Sequence, residues 1–317
     1  MKLRGSFRLI VPALLLCVAL LGPPLVGPPD PPSVAASAIQ LLPPGALIEE
    51  VPLEGGGFVR ALEIRVLDEG MQLRSPDGWR SISGLRPSGS PRALRLWLGS
   101  DHQGRSLAAR IVHGTRTTLL VASVATLVAV LLGTGLGLAS ALASRSGRGI
   151  IEVGTDGLLG LPRLLLLLML GVLLRGSGFG IGLAIGLSSW MEVARLVQAE
   201  ALKLRARPFV ATARVAGAGR LRIAFRHLLP NLAPIVAVAA PLVATEAILL
   251  ESTLSFLGVA GGSDAGSWGG IVADGQRLLP DGWWIVLFPG LLLSVTALAV
   301  HGLAHRETRR SYHLSSS

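Results

Sequence analysis

Apolar runs long enough to fill a whole helix recur six times along the chain, at 9–26, 117–143, 157–174, 179–198, 232–252 and 284–304. A helix needs about 20 apolar residues to cross the hydrocarbon of a bilayer, so each run predicts one crossing. No water is present there to satisfy free peptide groups, which requires such runs to be helical. The period-two alternation of an outer-membrane barrel is absent. The pattern therefore predicts an all-α polytopic membrane protein with six transmembrane helices.

The polar segments between the runs set the orientation. Lys203, Arg205, Arg207, Arg214, Arg220, Arg222 and Arg226 lie between the fourth and fifth runs, and Arg145 and Arg148 between the second and third. Lys2, Arg4 and Arg8 precede the first run, and Arg306, Arg309 and Arg310 follow the last. Six crossings place all four segments on one side, and the excess of cations makes that side, with both termini, cytoplasmic. The connections at 175–178 and 253–283 fall opposite, the second holding Asp264, Asp274 and Asp281 against Arg277.

Four divisions follow: an N-terminal transmembrane helix (1–26), an extracytoplasmic insertion (27–105), a five-helix core (106–305) and a cytoplasmic tail (306–317). The first run resembles a signal peptide in its basic lead-in, but no small-x-small cleavage site stands among residues 22–27, which favours a retained helix. The insertion opens on the proline-rich stretch Pro28-Pro29-Asp30-Pro31-Pro32, expected to be extended. Residues 46–83 then alternate loosely, with Gly55-Gly56-Gly57 and Pro76-Asp77-Gly78 as turn signals, so part of the insertion is expected to be strand.

Trp283-Trp284 suit an interfacial anchor. Gly133/Gly137 and Gly182/Gly186 put small residues one turn apart, where helices can approach closely. Composition alters this picture little. The chain is 50% hydrophobic and 15% charged, with a mean hydropathy of +0.60. The net charge of +10 is accounted for by the cytoplasmic arginines and does not point to nucleic acid. Cys17, the single cysteine, permits no intrachain disulfide.

The loop at 199–231 is too polar to span yet is periodic. Phe209, Val210, Ala213 and Ala216 fall at helical spacing after Pro208, Gly217 and Gly219 interrupt, and Leu221, Ala224, Phe225 and Leu228 form a second apolar face before Pro230-Asn231 ends it. Two short helices with an exposed apolar face predict a docking partner.

The same loop resembles the EAA loop of binding-protein-dependent ABC transporter permeases. The family pattern is Glu-Ala-Ala, three residues, Gly, nine residues, an apolar or His position, any residue, and Leu-Pro. Here it reads Ala211-Thr212-Ala213, three residues, Gly217, nine residues, His227, Leu228, Leu229 and Pro230. The segments Leu98-Gly99-Ser100-Asp101-His102-Gln103-Gly104-Arg105 with Gly114-Thr115-Arg116-Thr117-Thr118-Leu119 are similar to the lead-in of the dipeptide, oligopeptide and nickel subfamily, and Leu249-Leu250-Glu251-Ser252-Thr253-Leu254-Ser255-Phe256-Leu257-Gly258 to its later motif. Ser267-Trp268-Gly269, Trp283-Trp284 and Phe288-Pro289-Gly290 match the end of the fold. The resemblance spans about residues 95–305 and is closest to the C-type subunit.

The resemblance implies a type I ABC importer permease in a bacterial inner membrane. It implies a second permease subunit, separate ATPase subunits and an extracytoplasmic solute-binding protein as partners, with no cofactor. It implies peptides or a related small solute, nickel included, as substrate. It also implies that Phe209, Ala213, Gly217, His227, Leu229 and Pro230 dock the ATPase. The glutamate that opens the family motif is Ala211 here, which removes a carboxylate from the docking loop; a surface ion pair is worth only ~0–1 kcal/mol.

Neither lysine, Lys2 nor Lys203, lies in a phosphate-binding Gly-Lys-Ser/Thr context, and the six histidines form no H-E-x-x-H pair. ATP hydrolysis is therefore expected on a partner, and no metal site is expected. Glu246 and Glu251 are the candidate carboxylates of the substrate path. Glu246 has two readings, a contact with a neighbouring helix or the outer interface, which is favoured, and a path-lining group that meets a cationic substrate. Pro241 is expected to open the helix beside it. Glu192 and Arg195, three apart, are expected to pair locally. The rival functions are a self-sufficient secondary transporter, for which no inverted repeat is visible, and an intramembrane enzyme, for which no nucleophile motif is present.

Overall fold

The computed structural model describes residues 2–26, 36–54, 56–67, 70–174, 177–259 and 266–315, with side chains from 10–24, 38–54, 56–67, 70–174, 177–259 and 266–304. The proline-rich stretch at 28–32, Gly55, Asp264 and residues 175–176 lie outside them. So do the side chains of Lys2, Arg4, Arg8, Arg306, Arg309 and Arg310. The chain forms two compact units, one comprising Met1–Leu14, Thr118–Gly262 and Ser294–Ser317, the other Leu15–Thr117 and Ser263–Leu293.

In chain order, helix α1 (Lys2–Val26) is followed by strands β1 (Ala46–Pro52), β2 (Phe58–Ala61), β3 (Glu63–Leu67), β4 (Gly70–Ser75), β5 (Gly78–Ser83) and β6 (Arg92–Leu96). Helices α2 (Leu107–Leu142), α3 (Arg145–Leu159), α4 (Arg163–Leu173), α5 (Gly178–Arg205), α6 (Pro208–Val215), α7 (Arg220–Arg222), α8 (Leu229–Phe256), α9 (Trp268–Gly275), α10 (Leu279–Gly282) and α11 (Trp284–Ser315) complete it. The chain is thus mostly helical rather than all-α. Two antiparallel three-stranded sheets, ordered β2-β1-β6 and β3-β4-β5, occupy residues 46–96. Their alternation buries Val51, Val59, Ala61, Ile64, Met71 and Leu73 in one small core.

Among the described residues, four helical segments are long and apolar enough to cross a membrane: α2, α5, the segment Arg220–Phe256 that runs through α8, and Trp284–Ala304 of α11; the run expected as the first span contributes only the shorter apolar helix Ile10–Pro24. The run expected as a third continuous span, 157–174, is instead broken. Helices α3 and α4 meet at 88° and make at most one bent span. Pro162 lacks an amide hydrogen and disfavours helical geometry at the residue before it, and Gly160 caps α3, so the chain turns between them. By contrast, α8 continues unbroken through Pro234 and Pro241, so Pro241 does not open the helix beside Glu246.

Within the first unit, α2 and α5 run parallel and touch through glycines. A Cβ on Gly133 would stand 2.6 Å from Val193 and 2.8 Å from the Trp190 carbonyl, and one on Gly137 would stand 2.5 Å from the Ala194 carbonyl. From the other side, Gly182 faces Val121 and Val124, and Gly186 faces Ala125 and Val128. The two glycine pairs therefore serve one interface, in which backbone approaches backbone. Gly137→Val is expected to destabilise the protein by about 1–3 kcal/mol, the cost of an overpacked contact. A fall in the thermal midpoint in detergent checks it; Gly135→Ala, where nothing lies within 4 Å of the added carbon, is the neutral comparison.

In the second unit, Trp284 is buried and its Nε1 donates to the Ser100 carbonyl at 3.1 Å. Only its neighbour Trp283 stays half-exposed, so the pair does not act as a two-residue anchor. Trp268, fully buried, donates from Nε1 to the Ile111 carbonyl at 3.0 Å.

Candidate functional site

The segment between α5 and α8 is a hairpin set by its own sequence. Pro208 begins α6, where its missing amide costs nothing. Gly217 ends it at φ +82°, with the Ala218 amide donating to the Ala213 carbonyl and the Gly217 amide to the Arg214 carbonyl, both at 3.0 Å. The return arm is one helical turn, α7, and then a π-helical turn over Ile223–Leu228. That turn runs directly into α8 rather than ending at Pro230-Asn231. The wider turn accommodates Pro230, and Asn231 Nδ2 donates to the His227 carbonyl at 2.6 Å.

The hairpin has two apolar faces with different fates. Val210, Ile223, Ala224 and Leu228 are buried in a core with Val193, Val197, Ala201 and Leu204 of α5 and Leu138 and Ala141 of α2. Arg205 fastens the end of α5 by donating to the Ala141 carbonyl at 2.5 Å. Val215, Leu221, Phe225 and Phe209 remain 91%, 74%, 65% and 38% exposed. Around them Arg207, Arg214, Arg220, Arg222 and Arg226 are exposed, and no acidic residue occurs between Lys203 and Glu246.

The residues expected to dock a partner are distributed over this hairpin. The rings of Phe209 and His227 face each other across it at 6.4 Å. Ala213 and Leu229 are half-buried, Gly217 is at the turn, and Pro230 is exposed at the base. Val215, the most exposed apolar side chain of the hairpin, was not among them; it is one residue before Ala216 and off the face that helical spacing selects.

A second cluster lies on α4, α5 and α8. Arg163, at the first position of α4, pairs with Glu246 of α8 and with Glu192 of α5 at 3.3 Å, and donates from Nη2 to Ser189 Oγ at 2.7 Å. Glu192 therefore does not pair with Arg195, which is held instead by Asp156 of α3 at 2.6 Å. Glu251, five residues beyond Glu246, is buried and accepts a hydrogen bond from Ser255 Oγ at 2.7 Å. The two candidate path carboxylates are therefore in different settings. Arg163 was not singled out from the sequence, although an arginine inside an otherwise apolar run is itself a functional signal. Among the described residues, no three His, Cys, Asp or Glu side chains could hold a metal ion.

Residues 117–310 match the family described as binding-protein-dependent transport system inner membrane component. A protein of Brucella suis biovar 1 (strain 1330), provisionally named a peptide transport system permease, is 36% identical over 226 residues, covering 71% of this chain and 76% of that one. A Sinorhizobium fredii protein (strain NBRC 101917 / NGR234), provisionally named a peptide ABC transporter permease, is 36% identical over 207 residues, covering 65% and 70%. Among solved structures, an inward-facing conformation of the MetNI methionine ABC transporter is similar with a TM-score of 0.53 and 17% identity, covering 63% of this chain and 94% of that one. That likeness shows a shared fold, the type I ABC importer permease fold. With a matching family model over more than half its length and relatives of this identity, the chain belongs to the family of inner-membrane components of binding-protein-dependent transport systems, permeases whose ATP hydrolysis resides on a separate subunit.

Proposed function

We propose that this chain is one of two different permease subunits forming the pore of an ATP-driven importer for peptides or a related small solute. Two relatives carry names of peptide permeases, which supports the substrate class; nickel is the other solute the resemblance leaves open. Six crossings result if α1, the bent pair α3–α4, and the four longer spans are each counted once, with both termini cytoplasmic and residues 27–105 extracytoplasmic. A soluble binding protein delivers the solute from that side, and two ATPase domains work from the cytoplasm.

The observation that carries this reading is the exposed apolar patch on the hairpin, rimmed by arginines, on the side that carries the excess of cations. An apolar patch inside a basic rim fits a groove on a separate subunit. Because α6 and the return arm are packed on α5 and α8, movement of a docked ATPase is transmitted to two spans as a rigid-body displacement, and the paired permeases switch the side to which the path opens. In that path Glu246 contributes to the wall as the closest partner of Arg163, whereas Glu251 is buried and held by Ser255.

Cysteines placed at Val215 or Phe225 should crosslink to the ATPase subunits in the assembled transporter. Uptake by this chain reconstituted alone would sink the reading. Coupling is tested at the turn. No atom lies within 4 Å of a Cβ on Gly217, so a side chain there meets no neighbour, yet φ +82° is strained for any other residue by about 1–3 kcal/mol. Gly217→Val is expected to lower solute uptake several-fold while the assembled ATPases continue to hydrolyse ATP. The ratio of ATP consumed to solute imported is the measurement.

A further inference from the structure

Glu192 is 14 residues from the start of α5 and 13 from its end, about 21 Å and 20 Å along the helix axis. The apolar run of that helix ends at 198, so Glu192 lies within the span, in its cytoplasmic half and about 9 Å from that end. Arg163 there faces two carboxylates from two different helices, Glu246 and Glu192, with one positive charge between them. Widening the group to the neighbouring pair of Arg195 and Asp156 leaves two cations against three carboxylates. Glu152, hydrogen-bonded to Gln198 at 2.6 Å, adds another carboxylate. An uncompensated negative charge at this depth is costly, and such groups face a protein partner or a water-filled cavity rather than lipid.

The excess charge can be assigned to one residue. Glu246 is the closest partner of Arg163, which keeps its remaining reach for Ser189. Glu192 is at the longer 3.3 Å and its side chain is 55% exposed, so one of its faces is open to whatever occupies the adjoining space.

We propose that Glu192 receives the cationic end of the transported solute, a primary ammonium such as the amino terminus of a short peptide, part-way across the membrane. The proposal rests on the peptide-importer reading above and places recognition of the cation at Glu192, not at Glu246. Glu246 is a positioning residue that holds Arg163, and Arg163 fixes the Glu192 carboxylate while leaving an oxygen free to accept from an ammonium. Arrival of the ammonium completes the charge balance of the cluster. Its departure is eased because Arg163 still partners the carboxylate.

The test uses the complete transporter in proteoliposomes, with trialanine and N-acetyl-trialanine each supplied at saturating binding protein. For Glu192→Gln, the maximal uptake rate of trialanine is expected to fall roughly tenfold, the worth of one charge-assisted hydrogen bond, while Glu192→Asp restores most of it. The ratio of trialanine to N-acetyl-trialanine uptake should collapse in Glu192→Gln; poor folding lowers both rates together and cannot mimic that. Where the binding protein accepts only the free amine, the trialanine rates of the Gln and Asp variants decide. An unchanged rate or ratio in Glu192→Gln overturns the proposal and leaves the importer reading intact. So does loss of the second permease from the purified complex, because the balancing cation is then a partner side chain. A wild-type transporter that imports neither probe overturns the peptide reading itself, and this proposal with it.

Discussion

Phe225→Asp is expected to abolish solute uptake while leaving the permease folded. The side chain is 65% exposed and takes no part in the core with α5, so the effect on stability should stay within about 0.5 kcal/mol. At a docked interface the same position behaves differently. Removing an aromatic anchor from the centre of an interface costs ~2 kcal/mol or more, and an aspartate set against an apolar groove adds a desolvation penalty. Together these should lower ATPase-subunit affinity by two or more orders of magnitude, read as loss of copurification and of uptake. Phe225→Leu should retain most of both. Ile223→Asp supplies the contrast: two residues away, its side chain is buried in the core with α5, so that variant should lose thermal stability as well as docking. A Phe225→Asp transporter that still holds its ATPase would remove the hairpin from the coupling route.

The contrast between Ile223 and Phe225 also marks what could be read from the sequence. Spacing alone located the hairpin and its turn, because Pro208 and Gly217 act through backbone geometry that needs no partner. It grouped Val210 with Phe209, and Leu228 with Leu221, as one apolar face. Which of these meet α5 and α2 is decided by contacts with residues distant in the chain, and the π-helical turn shifts the phase of the return arm in a way a 3.6-residue period does not anticipate.

The spans show the same division. Hydropathy located α2, α5, α8 and α11, since twenty apolar residues in a row have few alternatives. It merged the end of α3 with α4, because an average over 157–174 hides the break that Gly160 and Pro162 impose. The same averaging concealed Arg163. In the membrane the residues that depart from the apolar background carry the most information, and an arginine opposite two glutamates from other helices becomes meaningful only once those helices are packed. The strands were legible in part: the alternation from 46 to 83 is visible, whereas β6 is a short edge strand, exposed along most of its length, and is placed by its pairing with β1.

The motif segment before α2 supports the largest predicted loss of stability. Asp101 is fully buried, and its Oδ1 accepts from the amides of Gln103 and Arg105 at 2.9 and 2.8 Å. Its Oδ2 accepts from Arg105 Nε at 2.7 Å and from Arg110 Nη1 at 2.9 Å, and Arg110, itself buried, reaches on to Asp274 of α9 at 2.7 Å. Two arginines and two aspartates thus balance within the second unit, joining the turn at 101–105 to α2 and α9. Asp101→Asn keeps the shape but removes one charge, leaving Arg110 buried beside a single partly exposed carboxylate. Breaking a buried pair in this way costs about 3–5 kcal/mol, which should lower the thermal midpoint in detergent by on the order of 10 °C. Adding Arg110→Met to Asp101→Asn removes the orphaned charge and should recover part of the loss, because the penalty comes from the unpaired guanidinium and not from the missing contact. A midpoint that moves by less than the spread of repeated measurements would mean that the motif aspartate is held for a reason other than closing this network. Its four accepted hydrogen bonds within one buried turn argue otherwise.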